Sequence, residues 1–545
     1  MKGVVSLLIA ASVCGVAATV FRAPASLSVS SARNHVRDPI TTEAMPLANG
    51  DIDLTVTGGG RMVYAVGDAG PWKDLPASGI VRISGSDGRA AEKLLVYPTS
   101  VAWKHPYPGL PIATIVRVAE QLETGHIEPP QLITLINADH HGLPVYSILV
   151  PEGAFFDPDT GIYVTGNAVL RPTPDMINTH LQSNRWWNYP GNYHFRGKAW
   201  QRSGLLQVLD GTGNETINTA VGIRINGQLT RGFPIHALRL LFETPLGVPV
   251  FDDGDGIGST VLLLRSAGND QMKAMLRDAV AHELCNDLPF DISQNRTCVV
   301  YVNGTYWGLH QLRQKVEEEE LARRSGVKKK QIAMLEVRNN ELLGKAKEAE
   351  RFNNDLNSIL ALDPSDPDLV KKINGRLDLN GFLSYMASVM ILDNKDWPDA
   401  NVKFWRYTGK QAMDAPLDGR WYFILTDMDL GLGAYGEPEA PLLERIKGRT
   451  SPMPKLFNAC MGSPELRQTF ISKVNELING RFSAKRTIEV LDRIASRMEP
   501  EMPRHIARWR RPKDMVTWHL EVDRIRTYLR ARPERIRSQI PGLFQ

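Results

Sequence analysis

Cysteine is scarce. Four occur in 545 residues, Cys14, Cys285, Cys298 and Cys460, too few for a disulfide framework in a chain of this length. Cys298, inside the apolar run TCVVYV, reads as a buried thiol, and a Cys285–Cys298 bridge stays open. No C-x-x-C or H-E-x-x-H spacing is present, so the common zinc patterns are missing. Charge of one sign is missing too: 64 Lys and Arg stand against 60 Asp and Glu, a formal +4, which demands no nucleic-acid partner. Beyond residue 25 there is no long apolar run, which excludes a multi-pass membrane protein.

What is present begins with Lys2 and VVSLLIAASVCGVAATVF, residues 4–21, followed by small residues. A basic start, an apolar stretch and small residues beyond it predict a secretory signal. The run also has just the length of an uncleaved anchor. Residues 1–25 are therefore expected to be a signal peptide or anchor, 26–47 a linker, and the mature protein extracytoplasmic. From 48 to 137 short β-branched runs such as GDIDLTVTG, GIVRISG and ATIVRVAEQ alternate with Gly, Pro and Asp turns. That spacing predicts a β-sandwich, acting as a spacer or binding module.

Residues 143–312 read as a β-rich lobe carrying one helix, near 270–288, where apolar residues recur at helical spacing. Asn303-Gly304 marks a tight hairpin. GDGIGS at 254–259 lacks a strand-to-helix context and reads as a turn. From 313 to 545 helices are expected to dominate. The acidic and basic blocks of VEEEELARRSGVKKKQIAML read as solvated helix faces. RHIARWRRPKD and DRIRTYLRARPERIRSQ make the C-terminal part basic, either a solvated surface or a groove for an acidic partner or phosphate. The whole is an α+β protein.

One stretch carries chemistry. In DNKDWPDANVKFWR, residues 393–406, Asp396 stands five positions before Asn401, at the mouth of a strand. In WYFILTDMDLGLG, residues 421–433, Asp427 and Asp429 stand at the mouth of the next. An Asp and an Asn amide supply hard oxygens for Mg²⁺ without excess charge. A separate Asp can accept a hydroxyl proton. Kinases use this set in this order: a catalytic-loop Asp, an Asn five residues on, then a metal-binding Asp. The usual kinase signatures H-R-D, G-x-G-x-x-G-x-V and V-A-I-K are absent. Without further context, loop carboxylates that cap turns explain the same residues.

Context comes from FFDPDTGIYV, AVGIRINGQLTRGFPIHALRL, LLRSAGND with MLRDAVAHEL, CVVYVNGTYWGLHQLR, and the two segments above. In this order, over about 155–433, they resemble the CotH family of atypical protein kinases. The resemblance implies a two-lobed, kinase-like fold and ATP-dependent phosphorylation of Ser or Thr on a protein. It assigns Asp396 as the catalytic residue and Asn401 and Asp427 as ligands of Mg²⁺ or Mn²⁺. Asp429 is a second candidate ligand, and Asn394 shapes the loop. The preceding β-unit looks like the immunoglobulin- or fibronectin-type modules of exported bacterial relatives. This chain departs from the pattern at His236, where relatives carry a Lys against nucleotide phosphate. His is neutral above about pH 6.5, so Arg231 or Arg239 is expected to replace that clamp, with Glu283 orienting the cation. The altered clamp keeps a second reading in play, a weak or inactive surface or adhesion protein. A third is glycan binding through Trp186, Trp187 and Tyr189 of WWNYPGNYHFRGKAW.

Overall fold

The computed structural model describes residues 40–545, apart from 48–50, 85–86, 184, 252–253 and 411–413. The expected leader and most of the expected linker lie outside the described residues. The linker assignment ends on a strand instead. β1 (Thr41–Pro46) pairs antiparallel with β2 (Ile52–Thr57), from Thr41 opposite Thr57 to Pro46 opposite Ile52. All six β1 residues are exposed, so no apolar alternation announces this edge strand; ladder pairing alone defines it.

β3 (Arg61–Val66), β4 (Lys73–Asp74), β5 (Ile80–Ile83), β6 (Ala113–Gln121) and β7 (Gln131–Ile136) follow. They complete two antiparallel sheets, β1-β2-β5 and β4-β3-β6-β7. Leu54, Val56, Val81 and Ile83 of the first share one core with Met62, Val116, Val118, Ile133 and Leu135 of the second. This is the expected sandwich.

The next unit is a closed barrel. Its strands are β8 (Val145–Leu149), β9 (Arg202–Leu209), β10 (Glu215–Asn226), β11 (Ala237–Leu241), β12 (Val261–Arg265), β13 (Asn295–Val302) and β14 (Thr305–Gln314), in the order β10-β11-β12-β14-β13-β8-β9. Helices α1 (Glu152–Phe156) and α2 (Pro174–Ser183) lie between β8 and β9, and α3 (Arg277–Leu284) lies between β12 and β13. Asn303 and Gly304, both at positive φ, make the tight turn that sets Val302 opposite Thr305. Every residue of β14 is buried. Trp307 and Leu312 join the barrel core, while Tyr306 and Leu309 join the core of the helical lobe. A strand covered on both faces loses polar alternation.

The sandwich is sewn to this barrel. Thr134 N donates to Gln207 Oε1 at 2.8 Å and its hydroxyl donates to Ser147 Oγ at 2.7 Å. Asn218 accepts from Leu132 N at 3.0 Å and donates to Leu132 O at 2.7 Å. Ile115 and Leu132 pack with Leu149. The β5–β6 connection also crosses the barrel, where Thr99 and Ser100 donate to the carbonyls of Pro234 and Gly232, each at 2.7 Å.

The last unit holds α4 (Glu318–Arg324), α5 (Ala346–Leu360), α6 (Leu369–Asn374), α7 (Leu379–Ile391), α8 (Pro452–Met461), α9 (Pro464–Asn479), α10 (Ala484–Met498), α11 (Met502–Trp509) and α12 (Met515–Gln539). It also holds a sheet, β16-β15-β17-β18, made by β15 (Ile332–Arg338), β16 (Glu341–Leu343), β17 (Val402–Tyr407) and β18 (Tyr422–Ile424). Here the helical reading of VEEEELARRSGVKKKQIAML is corrected. Only its acidic block is helical, in α4. The basic block is a turn, and IAML begins β15, where buried and half-buried residues alternate. Asn339 and Asn340, both left-handed, turn β15 into β16. Among the described residues Cys285, Cys298 and Cys460 are buried free thiols.

Candidate active site

α7 delivers the first strand mouth. Asp378 caps it by accepting from Gly381 N at 3.1 Å, and its residues are buried almost throughout. Its last carbonyls lack helical partners. Those of Met390 and Ile391 accept instead from Arg532 of α12, each at 3.1 Å, and Tyr528 also donates to Ile391 O at 3.0 Å. Arg532, fully buried, also donates to Pro438 O at 3.0 Å and to Ala440 O. So the basic C-terminal segment is only partly a solvated surface. Arg508 of α11 is buried as well, stacked between Trp307 and Trp509.

The loop after α7 and the strand mouth after β18 meet. Asn401 Nδ2 donates to Asp396 Oδ2 at 3.2 Å, so its amide oxygen is the atom left to bind elsewhere. Asn394 Oδ1 accepts from Asp396 N at 3.3 Å, and Asn394 Nδ2 donates to Asp427 O at 2.9 Å. The Thr426 hydroxyl donates to Asn401 O at 2.5 Å. Asp393, Asn401 and Asp427 all have positive φ. Asp and Asn tolerate that region better than other residues with a Cβ, and strain of this kind gathers at functional sites. Burial and the nearby Asp427 charge raise the pKa of Asp396, with Arg445 opposing them.

Asp429 turns the other way. It is buried, accepting from Asn269 N at 2.7 Å and from Asn269 Nδ2 at 3.3 Å. Burial first, then the Asp427 charge, pushes its pKa well up. A Cβ on Gly268, whose φ is +56°, would meet Asp429 Oδ2 at 2.1 Å. The glycine of LLRSAGND therefore lets the barrel loop close on this carboxylate.

Two charged residues missing from the sequence-derived site complete the cluster. Arg265, at the end of β12, donates to Asp427 Oδ1 at 2.6 Å and to Asp429 Oδ2 at 3.2 Å. Its Nε lies 3.4 Å from Asp278 Oδ2. Burial opposes its charge, yet the three carboxylates raise its pKa overall. Asp278, in the first turn of α3, accepts from Met428 N at 2.8 Å and pairs with Arg313. Burial works against its charge, but Arg265 and Arg313 more than offset that and hold its pKa below the usual carboxylate range. The signal was legible: a lone Arg closes the apolar run VLLLR, and an Asp opens the lobe's helix.

The expected nucleotide-side residues are largely elsewhere. His236 is fully buried against the rings of Tyr163 and Tyr193, and burial pushes its pKa down to about 3. Arg231 is buried and donates to the carbonyls of Gly227, Tyr193, Phe195 and Ile225; it holds backbone. Glu283 pairs with Arg493 of α10 at 2.8 Å, so Asp278 rather than Glu283 meets the lobe's cation. Arg239 lies in β11, beside the start of the helical lobe. It pairs with Glu317 at 2.7 Å, which also holds Lys315 at 3.0 Å. Lys403, two residues past Asn401, adds to the positive field felt by Lys315.

Among the described residues no group of three or more His, Cys, Asp or Glu is arranged to hold a metal. A Mg²⁺ or Mn²⁺ site needs fewer protein ligands, because water and phosphate oxygens complete the shell. The Asn401 amide oxygen and the Asp427 carboxylate, one-third exposed, are hard donors of that kind. The Asp427 charge repels both Asp396 and Asp429, which fits a site that takes a cation.

A β-barrel lobe and a helical lobe, joined around Asp396, Asn401 and Asp427 with a strand cation paired to a helix carboxylate, define a kinase-like domain. The model of the CotH kinase protein family matches residues 223–536, more than half of the chain. The chain belongs to the CotH family. No curated protein matches it.

Proposed function

We propose that this protein transfers the γ-phosphoryl group of ATP to Ser or Thr of a protein substrate, and that it works outside the cytoplasm. The observation that carries the reading is the convergence of the Asp396–Asn401 loop and Asp427, with Arg265 paired to Asp427. Asp396 is the general base. One carboxylate oxygen is held by the Asn401 amide, which leaves the other for the acceptor hydroxyl, and its raised pKa favours proton uptake. Asn401 and Asp427 would hold a divalent cation, whose chemistry is to neutralise charge on the phosphates. Arg265 takes the place assigned to His236, Arg231 or Arg239: a guanidinium steadied by Asp278 and aimed at the phosphate region. The Arg239, Lys315 and Lys403 cluster favours an anionic ligand in the junction. Trp186 and Trp187 pack on Phe233 but stay half-buried, and Tyr189 is exposed, so these rings form a surface feature rather than part of a core.

Purified protein given labelled ATP with Mn²⁺ or Mg²⁺ tests this. Wild type is expected to label itself or an added protein. Asp396→Asn and Asp427→Ala are each expected to lose about 10²-fold or more. Absence of labelling, together with no metal-dependent thermal shift from ATP, would leave the surface-binding reading instead.

A further inference from the structure

The segment after Asp429 runs to α8 and lies against the loop that carries Asp396. Leu442 and Ile446 are buried in the main core, and Leu442 N donates to Gln539 Oε1 of α12 at 2.8 Å. Between these anchors Arg445 projects inward. Its Nε donates to Trp397 O at 2.9 Å and its Nη2 donates to Lys395 O. These are the carbonyls on either side of Asp396. Farther along, Arg449 pairs with Asp399, and the Ser451 hydroxyl donates to Asp399 Oδ1 at 3.3 Å.

In many kinases the equivalent segment is ordered by phosphorylation, through new contacts between arginines and the phosphate. Here two arginines of the segment bind the loop directly, one through backbone and one through a carboxylate. A guanidinium fork fixes two carbonyls at once, which a flexible ammonium does not. We propose that Arg445 is a positioning residue for phosphoryl transfer: it braces both flanks of Asp396 and makes a regulatory phosphate on this segment unnecessary. This rests on the function proposed above, but its geometric half is separately measurable.

The experiment compares wild type with Arg445→Met and Arg445→Lys by amide hydrogen exchange and by steady-state kinetics after phosphatase treatment. In Arg445→Met, exchange over residues 393–401 is expected to rise about ten-fold, with α9 unchanged. The kcat is expected to fall about 100-fold at nearly constant KM for ATP. Arg445→Lys, which keeps the charge without the fork, is expected to stay impaired, and it reports if the Met variant does not fold. Wild-type exchange over 393–401 in both variants, a loss seen only in KM, full activity in the Lys variant, or a wild type silenced by phosphatase would each overturn the proposal. A wild type without transferase activity whose Met variant still frees the loop would sink the proposed function while upholding the brace.

Discussion

Arg265 is the residue on which the cluster balances. Three carboxylates, Asp278, Asp427 and Asp429, face one guanidinium whose side chain is 17% exposed. Removing one partner of such an assembly leaves uncompensated charge in a poor solvent, at a cost of about 3–5 kcal/mol. Arg265→Met is therefore expected to lower the urea midpoint sharply in metal-free buffer. Mn²⁺ should raise the melting temperature of the variant more than that of wild type, because the carboxylates then lack their internal cation. An equal Mn²⁺ response in both proteins would show that the carboxylates do not share a cation site. Two of the residues expected to clamp the nucleotide, Arg231 and His236, could not be sorted from sequence. A basic or imidazole side chain near a loop looks alike whether it faces a ligand or binds backbone carbonyls inside a barrel; burial decides, and burial is set by strands far along the chain. Asp396, Asn401 and Asp427 were legible because their spacing follows from two adjacent strands of one local sheet.

At the level of elements, α7 is a rod whose exit angle sets where Asp396 stands. Arg532 and Tyr528 of α12 hold its C-terminal carbonyls, more than a hundred residues downstream. Arg532→Met should orphan the Met390 carbonyl, leave Ile391 O to Tyr528 alone, and loosen the 438–440 segment, which keeps its bonds from Gln539 and Arg535. The expected cost is about 1–3 kcal/mol for each buried group left unmade, read by chemical denaturation. Phosphoryl transfer should fall more than stability alone explains. If activity tracks only the folded fraction, α12 supports the fold and not the loop. The same elements show where sequence reading stops. The hairpin at Asn303-Gly304 and the strand of VKFWRY follow from turn chemistry and β-branched or aromatic content. β15 reads as helix in the sequence because its seven residues follow a charged helical stretch, and its alternation appears only against β17. β1 carries no buried side chain at all, so its pairing leaves no pattern in the sequence.

At the scale of the whole molecule, four histidines among the described residues are at most 2% exposed: His236 just before β11, His310 in β14, His282 in α3 and His505 in α11. Burial lowers each, to about 3 for His236, His282 and His505 and about 4 for His310. The unfolded chain titrates near 6.5, so between these values it binds protons that the native state refuses. The histidines' share of stability is therefore complete above about pH 6.5 and is lost as pH falls through the window down to about 3. Each buried histidine steepens the loss by about 1.4 kcal/mol per pH unit. Because the sandwich, barrel and helical lobe share hydrogen bonds and cores, the loss should appear as one cooperative transition rather than as shedding of the sandwich. Urea unfolding at pH 7.5, 6.0 and 5.0, followed by tryptophan fluorescence and far-ultraviolet dichroism together, checks both points. His236→Phe, which keeps a ring between Tyr163 and Tyr193, should flatten the acid limb by one histidine's share. His505→Phe should not be a clean removal, because His505 Nδ1 accepts from Leu309 N at 3.0 Å. An acid limb of unchanged slope in His236→Phe would mean that the ring is protonated inside the fold. The barrel interior would then have to hold a charge that its rings and aliphatic side chains give no means of solvating.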